Sequence, residues 1–139
     1  MCERVCVIGY YNHNNLGDDQ YRQSFKYIVD TYFPKYQLDF FDCDTILSHQ
    51  FYDTDIIVLG GGDVLNDYFL DKILTRFQGA PNKVLAISVG LPFPSFLAET
   101  NKLNIIDYIF VRTQQDMELF SVYFHSQRVY YIPDISCVL

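Results

Sequence analysis

The residues best suited to chemistry in this chain fall in a few short loops. In Gly9-Tyr10-Tyr11-Asn12-His13-Asn14-Asn15-Leu16-Gly17-Asp18, glycines and asparagines that tolerate unusual backbone angles sit among side chains rich in hydrogen-bonding groups. The loop leads into a helix. The first N–H groups and the positive dipole end of that helix suit a phosphate or carboxylate, while Asn12, Asn14 and Asn15 suit sugar hydroxyls. A purely structural reading is open as well, in which Asn15 and Gly17 shape the turn and Asp18 caps the helix.

Gly60-Gly61-Gly62-Asp63 follows an apolar run, and residues without a Cβ let a ligand approach the backbone closely. The spacing of a dinucleotide fingerprint is missing, as is the Lys-Ser/Thr end of a P-loop, so ordinary NAD or ATP binding is not indicated and no cofactor is expected. A tight turn between strand and helix is the structural alternative. Asp63 and Asp67 have the chemistry of general bases or metal ligands, but helix capping accounts for each more simply.

Arg112 offers a guanidinium that can fork onto a carboxylate or phosphate in a chain with few cations, with a surface salt bridge as its alternative. His13 is the histidine within a candidate loop, whereas His49 and His125 fall in helical or peripheral segments. Cys2, Cys6, Cys43 and Cys137 read as reduced thiols. No secretory signal accompanies them, Cys6 alternates within an apolar strand pattern, and the paired spacing of a zinc site is missing, so no metal is expected.

Such loops need a frame to bring them together. Apolar runs at residues 5–8, 37–41, 56–59, 84–88, 108–111 and 129–132 read as six strands. Between them, helices are expected over residues 18–32, 44–51, from 66 or 67 to 78, 95–102 and 113–124. Continuously apolar strands alternating with helices indicate a doubly wound α/β domain with a mainly parallel sheet covered on both faces. In such sheets ligands bind beyond the C-terminal strand ends, which here carry Gly9, Gly60, Ser88 and Arg112. The first and third strands must be neighbours if both glycine loops line one site.

A length of 139 residues fits one domain, and a chain that is 50% hydrophobic with 19% charged residues is not a disordered one. The formal net charge of -7 argues against nucleic acid or an acidic membrane surface as partner. No segment reaches the length of a membrane span. Met1 to Arg4 does not open a secretory leader, and a cytoplasmic location is expected.

Taken in order, Gly9-Tyr10-Tyr11, Asn15-Leu16-Gly17-Asp18, Ile56-Ile57-Val58-Leu59-Gly60-Gly61-Gly62, Ser88-Val89-Gly90, Val111-Arg112 and Pro133-Asp134 resemble the polysaccharide pyruvyl transferase family over nearly the whole chain. The resemblance implies that residues 1–139 form the N-terminal, Rossmann-like half of a two-domain, glycosyltransferase-B-like architecture, with the site between the halves and a second domain or chain completing it. It also implies transfer of a pyruvyl group from phosphoenolpyruvate to a sugar of a glycan or of its lipid- or nucleotide-linked precursor. With the reading of the loops, it makes Gly9, Tyr10, Asn12, Asn15, Gly17, Asp18, Gly60, Gly61, Gly62, Asp63, Ser88, Gly90 and Arg112 the substrate-binding set and leaves the acid and base unassigned. The chain departs from the family pattern at Asp63, where a small residue is common, and at Thr113, where an acidic one is. Two other functions fit the same frame. One is a sugar-nucleotide-binding or protein-interaction module without turnover. The other is a receiver domain, which needs clustered acids after the first strand and a lysine after the fifth, where this chain has Gly9 and Arg112.

Overall fold

The computed structural model describes residues 3–9, 16–62, 67–89, 102–111, 113–123 and 129–131. Each expected apolar run forms a strand, because β-branched and aromatic side chains fit a pleated surface buried on both sides. The strands are β1 (Arg4–Gly9), β2 (Gln37–Asp42), β3 (Ile56–Gly62), β4 (Val84–Val89), β5 (Tyr108–Val111) and β6 (Val129–Tyr131). All are parallel, in the order β2-β1-β3-β4-β5-β6. The described helices are α1 (Leu16–Tyr32), α2 (Asp67–Phe77) and α3 (Gln114–Tyr123), with short 3-10 helices at Cys43–Ser48 and Lys102–Ile105. This is a Rossmann-like α/β fold.

Several boundaries differ from the sequence expectation. α1 begins at Leu16, so Gly17 and Asp18 lie inside the helix, and Asp18 belongs to its first turn instead of preceding it as a cap. The segment expected as a helix over residues 44–51 is the 3-10 helix Cys43–Ser48, capped by Asp42, whose Oδ1 accepts from the Asp44 N–H at 3.2 Å. The helix expected over residues 95–102 lies outside the described residues except for Lys102, which opens the second 3-10 helix. Gly60, Gly61 and Gly62 are the last residues of β3 and not a turn that follows it.

The handedness of the connections sorts the helices. The chain steps from β1 outward to β2, and every later step, from β2 through to β6, runs the other way. Right-handed crossovers therefore send α1 to one face and the later connections to the opposite face. On that opposite face Cys6, Ile8, Ile57 and Leu59 pack with Ile46, Phe69, Leu70, Ile73 and Phe120 in the main core. On the α1 face Phe25 packs on Val7 and Val58 in a smaller cluster, with Leu85 and Ile87 half-buried beside it. Between α1 and β3, β4 and β5 runs a groove of about 420 Å³ whose described lining, including Ile28, Ile56, Leu85, Ile87 and Phe110, carries no charge. Among the described residues no helix is long and apolar enough to cross a membrane.

Candidate functional site

The direction of winding reverses between β1 and β3, and it is beyond the C-terminal strand ends at such a switch that wound sheets form their ligand crevice. Ile8 is in register with Leu59, which sets Gly9 beside Gly60, as the two-loop site requires. The ladder between β1 and β3 stops at that pair. Pairing of β3 with β4 continues through Gly60 and Ile87 to Gly62 and Val89. Beyond Leu59, the backbone edge of the three glycines that faces β1 therefore has no ladder partner among the described residues, and it borders the crevice.

Packing accounts for the missing side chain at Gly60. A Cβ on Gly60 would stand 2.8 Å from Phe25 Cε2 and 2.9 Å from Val7 Cγ1, well inside van der Waals contact. Glycine at position 60 therefore lets α1 close onto the sheet. That close seating also directs the start of α1 to the rim, because a helix joining parallel strands runs back against them. The first turn of α1, containing Gly17 and Asp18, thus brings backbone N–H groups without intrahelical partners toward the Gly9 side of the sheet.

Of the other expected binding residues, Tyr10, Asn12, Asn15, Asp63, Gly90 and Arg112 lie outside the described residues, as does His13. The backbone of Ser88 belongs to β4. Arg112 follows Val111, the last residue of β5, and β5 is two strands from β3, roughly 10 Å across the sheet.

The structure adds a group on the β2 side of the same rim. Asp42 is in register with Gly9 and accepts from Asp44 N–H, while the Tyr68 hydroxyl at the start of α2 donates to Asp44 Oδ1. Lys72 Nζ lies 5.1 Å from the centre of the Tyr68 ring. Sequence reasoning passed over Asp42 and Asp44, although an aspartate at the end of an apolar run followed two residues later by another is the signal that could have marked a rim position. Among the described residues no cluster of three His, Cys, Asp or Glu could hold a metal ion.

A cation with its donors engaged stands at the other pole. Arg4, at the first position of β1, forks onto Asp55, with Nε donating to Oδ1 at 3.2 Å and Nη2 to Oδ2 at 2.6 Å. Its Nη1 donates to Asp39 at 3.3 Å and its Nη2 also to the Gln50 carbonyl at 3.1 Å, with the Phe41, Phe51 and Tyr52 rings around it. Asp55 is only 2% exposed. Burial alone would raise its pKa, but the Arg4 hydrogen bond and the Tyr52 N–H outweigh that and hold the carboxyl below its ordinary value. The Asp55 hydrogen bond in turn raises the pKa of the guanidinium. Arg4 is a structural clamp with its donors engaged.

Cys6 and Cys43 are free and buried, and burial pushes both thiols up to about 12, so at neutral pH they are protonated and poor nucleophiles. Cys2 and Cys137 lie outside the described residues.

No family model matches the chain, and no curated protein matches it. Among solved structures it is similar to a functionally uncharacterized protein from Klebsiella pneumoniae, with a TM-score of 0.62 at 16% identity, over 96% of this chain and 50% of that one. It is also similar to a protein from Salmonella typhimurium described as a candidate phosphosugar isomerase, with a TM-score of 0.51 at 14% identity, over 78% of this chain and 29% of that one. At these identities the likeness shows the fold. The chain spans about half the length of the Klebsiella protein.

Proposed function

We propose that the chain is the substrate-binding first half of a polysaccharide pyruvyl transferase-like enzyme, acting in the cytoplasm on phosphoenolpyruvate and a sugar nucleotide or other glycan precursor. The observation that carries this reading is the placement of Gly9 beside Gly60 at the switch in winding, where the first turn of α1 and the open edge of β3 offer backbone donors to one anion. Gly61 and Gly62 provide the close backbone approach, and Arg112 supplies the cation. In the complete enzyme a proton is added to the enol carbon of phosphoenolpyruvate, sugar hydroxyls attack the neighbouring carbon, and phosphate leaves as the ketal closes. The acid and base for these steps stay unassigned, and with one wall of the cleft missing this chain binds substrate but turns it over little or not at all.

The test is amide-resolved titration of the 139-residue chain with phosphoenolpyruvate and with UDP-glucose, beside an assay for ketal formation. Shifts confined to Gly9, Gly17, Gly61 and Gly62, without turnover, are expected. Binding of UDP-glucose alone would favour a sugar-nucleotide module without pyruvyl transfer. Shifts centred on Arg4 and Asp55, or no binding of either compound, would overturn the reading.

A further inference from the structure

A cavity of about 610 Å³ lies between α1 and the edge strand β2, and its described lining is Arg22, Gln23, Lys26 and Asp30 of α1 with Leu38 and Phe40 of β2. Its size falls within the range of small-molecule sites. Arg22, Lys26 and Asp30 recur every four residues, so they share one stripe of the helix, each roughly 6 Å further along its axis. Leu38 and Phe40 alternate to the face that α1 covers, and both pack beside Val7 and Phe25. The cavity thus joins a charged wall to an apolar floor.

The order of the charges selects the ligand. Arg22 and Lys26 are two cations one turn apart in a chain of net charge -7, and like charges at that spacing repel unless an anion lies between them. Arg22 stands over the Phe40 ring, its Cζ 5.7 Å from the ring centre, a contact that steadies the guanidinium and consumes none of its N–H donors. Asp30 lines the same cavity one turn beyond Lys26. A dianion would meet that carboxylate as well as the two cations. A group that carries a carboxylate and an ammonium on one carbon matches all three charges. The floor of Leu38 and Phe40 then suits an aromatic side chain, which buries much apolar area with few rotatable bonds.

We infer that this cavity binds a free aromatic amino acid, with its α-carboxylate accepting from Arg22 and Lys26, its α-ammonium donating to Asp30, and its ring on Leu38 and Phe40. A guanidinium forks onto a carboxylate, and the ammonium of Lys26 adds a second charge-assisted donor. The site shares no residue with the strand-end crevice and takes a ligand without net charge, so it stands or falls independently of the crevice.

The experiment is amide-resolved titration of the chain with L-phenylalanine, with phenylpropionate, which lacks the ammonium, and with phenethylamine, which lacks the carboxylate. L-phenylalanine should shift the amides of Arg22, Gln23, Lys26, Asp30, Leu38 and Phe40, and the two truncated probes should bind at least about tenfold more weakly, the usual loss for one hydrogen bond between charged groups. Lys26→Met and Asp30→Asn should each weaken L-phenylalanine by about tenfold. Asp30→Asn should leave phenylpropionate binding as tight as in the wild type or tighter, a reversal that a merely structural role for Asp30 would not produce. Both side chains are exposed, so melting temperatures without ligand should stay within a degree or two of the wild type. Absence of shifts at these amides with millimolar L-phenylalanine, equal affinity for L-phenylalanine and phenylpropionate, or unaltered L-phenylalanine affinity in both variants would each overturn the assignment and leave the crevice reading untouched.

Discussion

The Phe25 ring occupies the space that a side chain at position 60 would need, with Cε2 2.8 Å from the point where a Cβ would stand. Both Phe25 and Val7 belong to the small cluster that holds α1 on the sheet, so an added Cβ has to displace atoms of that cluster. Gly60→Ala is therefore expected to destabilise the fold by about 1–3 kcal/mol, the usual cost of overpacking. Urea unfolding monitored by circular dichroism measures it, and Phe25→Leu in the Gly60→Ala background should recover part of the loss. An unchanged midpoint in Gly60→Ala would show that the ring moves aside freely.

Arg4→Met removes the guanidinium from a carboxylate that is 2% exposed, and breaking a buried pair by removing one partner costs about 3–5 kcal/mol. The pH dependence carries the sharper signature. In the wild type the folded-state pKa of Asp55 is lowered, so its contribution is present above the unfolded value of about 3.9 and is lost as pH falls through the folded one. Wild-type stability should then decline in acid. In Arg4→Met the Tyr52 N–H still favours the carboxylate but the larger lowering partner is gone, so burial weighs more, the folded pKa rises relative to the wild type, and the acid decline of stability should become shallower. Urea midpoints at a series of pH values measure both slopes. Equal slopes in the two proteins would mean that Arg4 does not govern Asp55.

The frame of this molecule was legible because its strands are uninterrupted apolar runs closed by glycine or a polar residue, a pattern that a buried parallel sheet demands. The placement of Gly9 beside Gly60 was legible too, as a consequence of where ligands bind in wound sheets. The Arg4 clamp was not legible. Its partners Asp39 and Asp55 are 35 and 51 residues away, and only the parallel register gathers them at one pole. The role of Gly60 was half legible, since a sequence displays the missing Cβ but not the Phe25 ring that fills its place.

The thiols supply a third test. Burial pushes Cys6 and Cys43 up to about 12, so neither should be alkylated by iodoacetamide at pH 8 in the folded protein, and both should react in urea. A thiol raised in the folded state stabilises fully below its unfolded pKa of about 8.5, and the contribution is lost as pH rises toward the folded value. Stability should therefore decline between about pH 9 and 12. Peptide mapping after brief alkylation reads the first effect, and rapid labelling of Cys6 at pH 8 would show that the β1 core opens far more often than its packing implies.

The last prediction concerns Arg112. β5 ends at Val111 on the same rim as Gly9 and Gly62, the clamp residue Arg4 is committed at the other pole, and Lys72 stands over the Tyr68 ring on the β2 side, so the cation proposed for the β5 side of the rim is the residue that follows Val111. Arg112 holds that position in the chain, two strands from β3, and a guanidinium on its extended stem can bridge most of the roughly 10 Å that separates them. Arg112→Met keeps much of the stem and removes the charge-assisted hydrogen bonds, each worth about 1.5–3 kcal/mol, so affinity for phosphoenolpyruvate or UDP-glucose should fall by about tenfold or more. The unliganded protein should melt within a degree or two of the wild type, because a residue reserved for ligand contributes little to the empty fold. Salt provides an independent check. The wild-type affinity should weaken with ionic strength more steeply than that of Arg112→Met, since screening acts on the charge that the variant lacks. Unaltered affinity with a markedly lower melting temperature would assign Arg112 to the scaffold, and the crevice would then hold its anion by backbone N–H groups and neutral side chains alone.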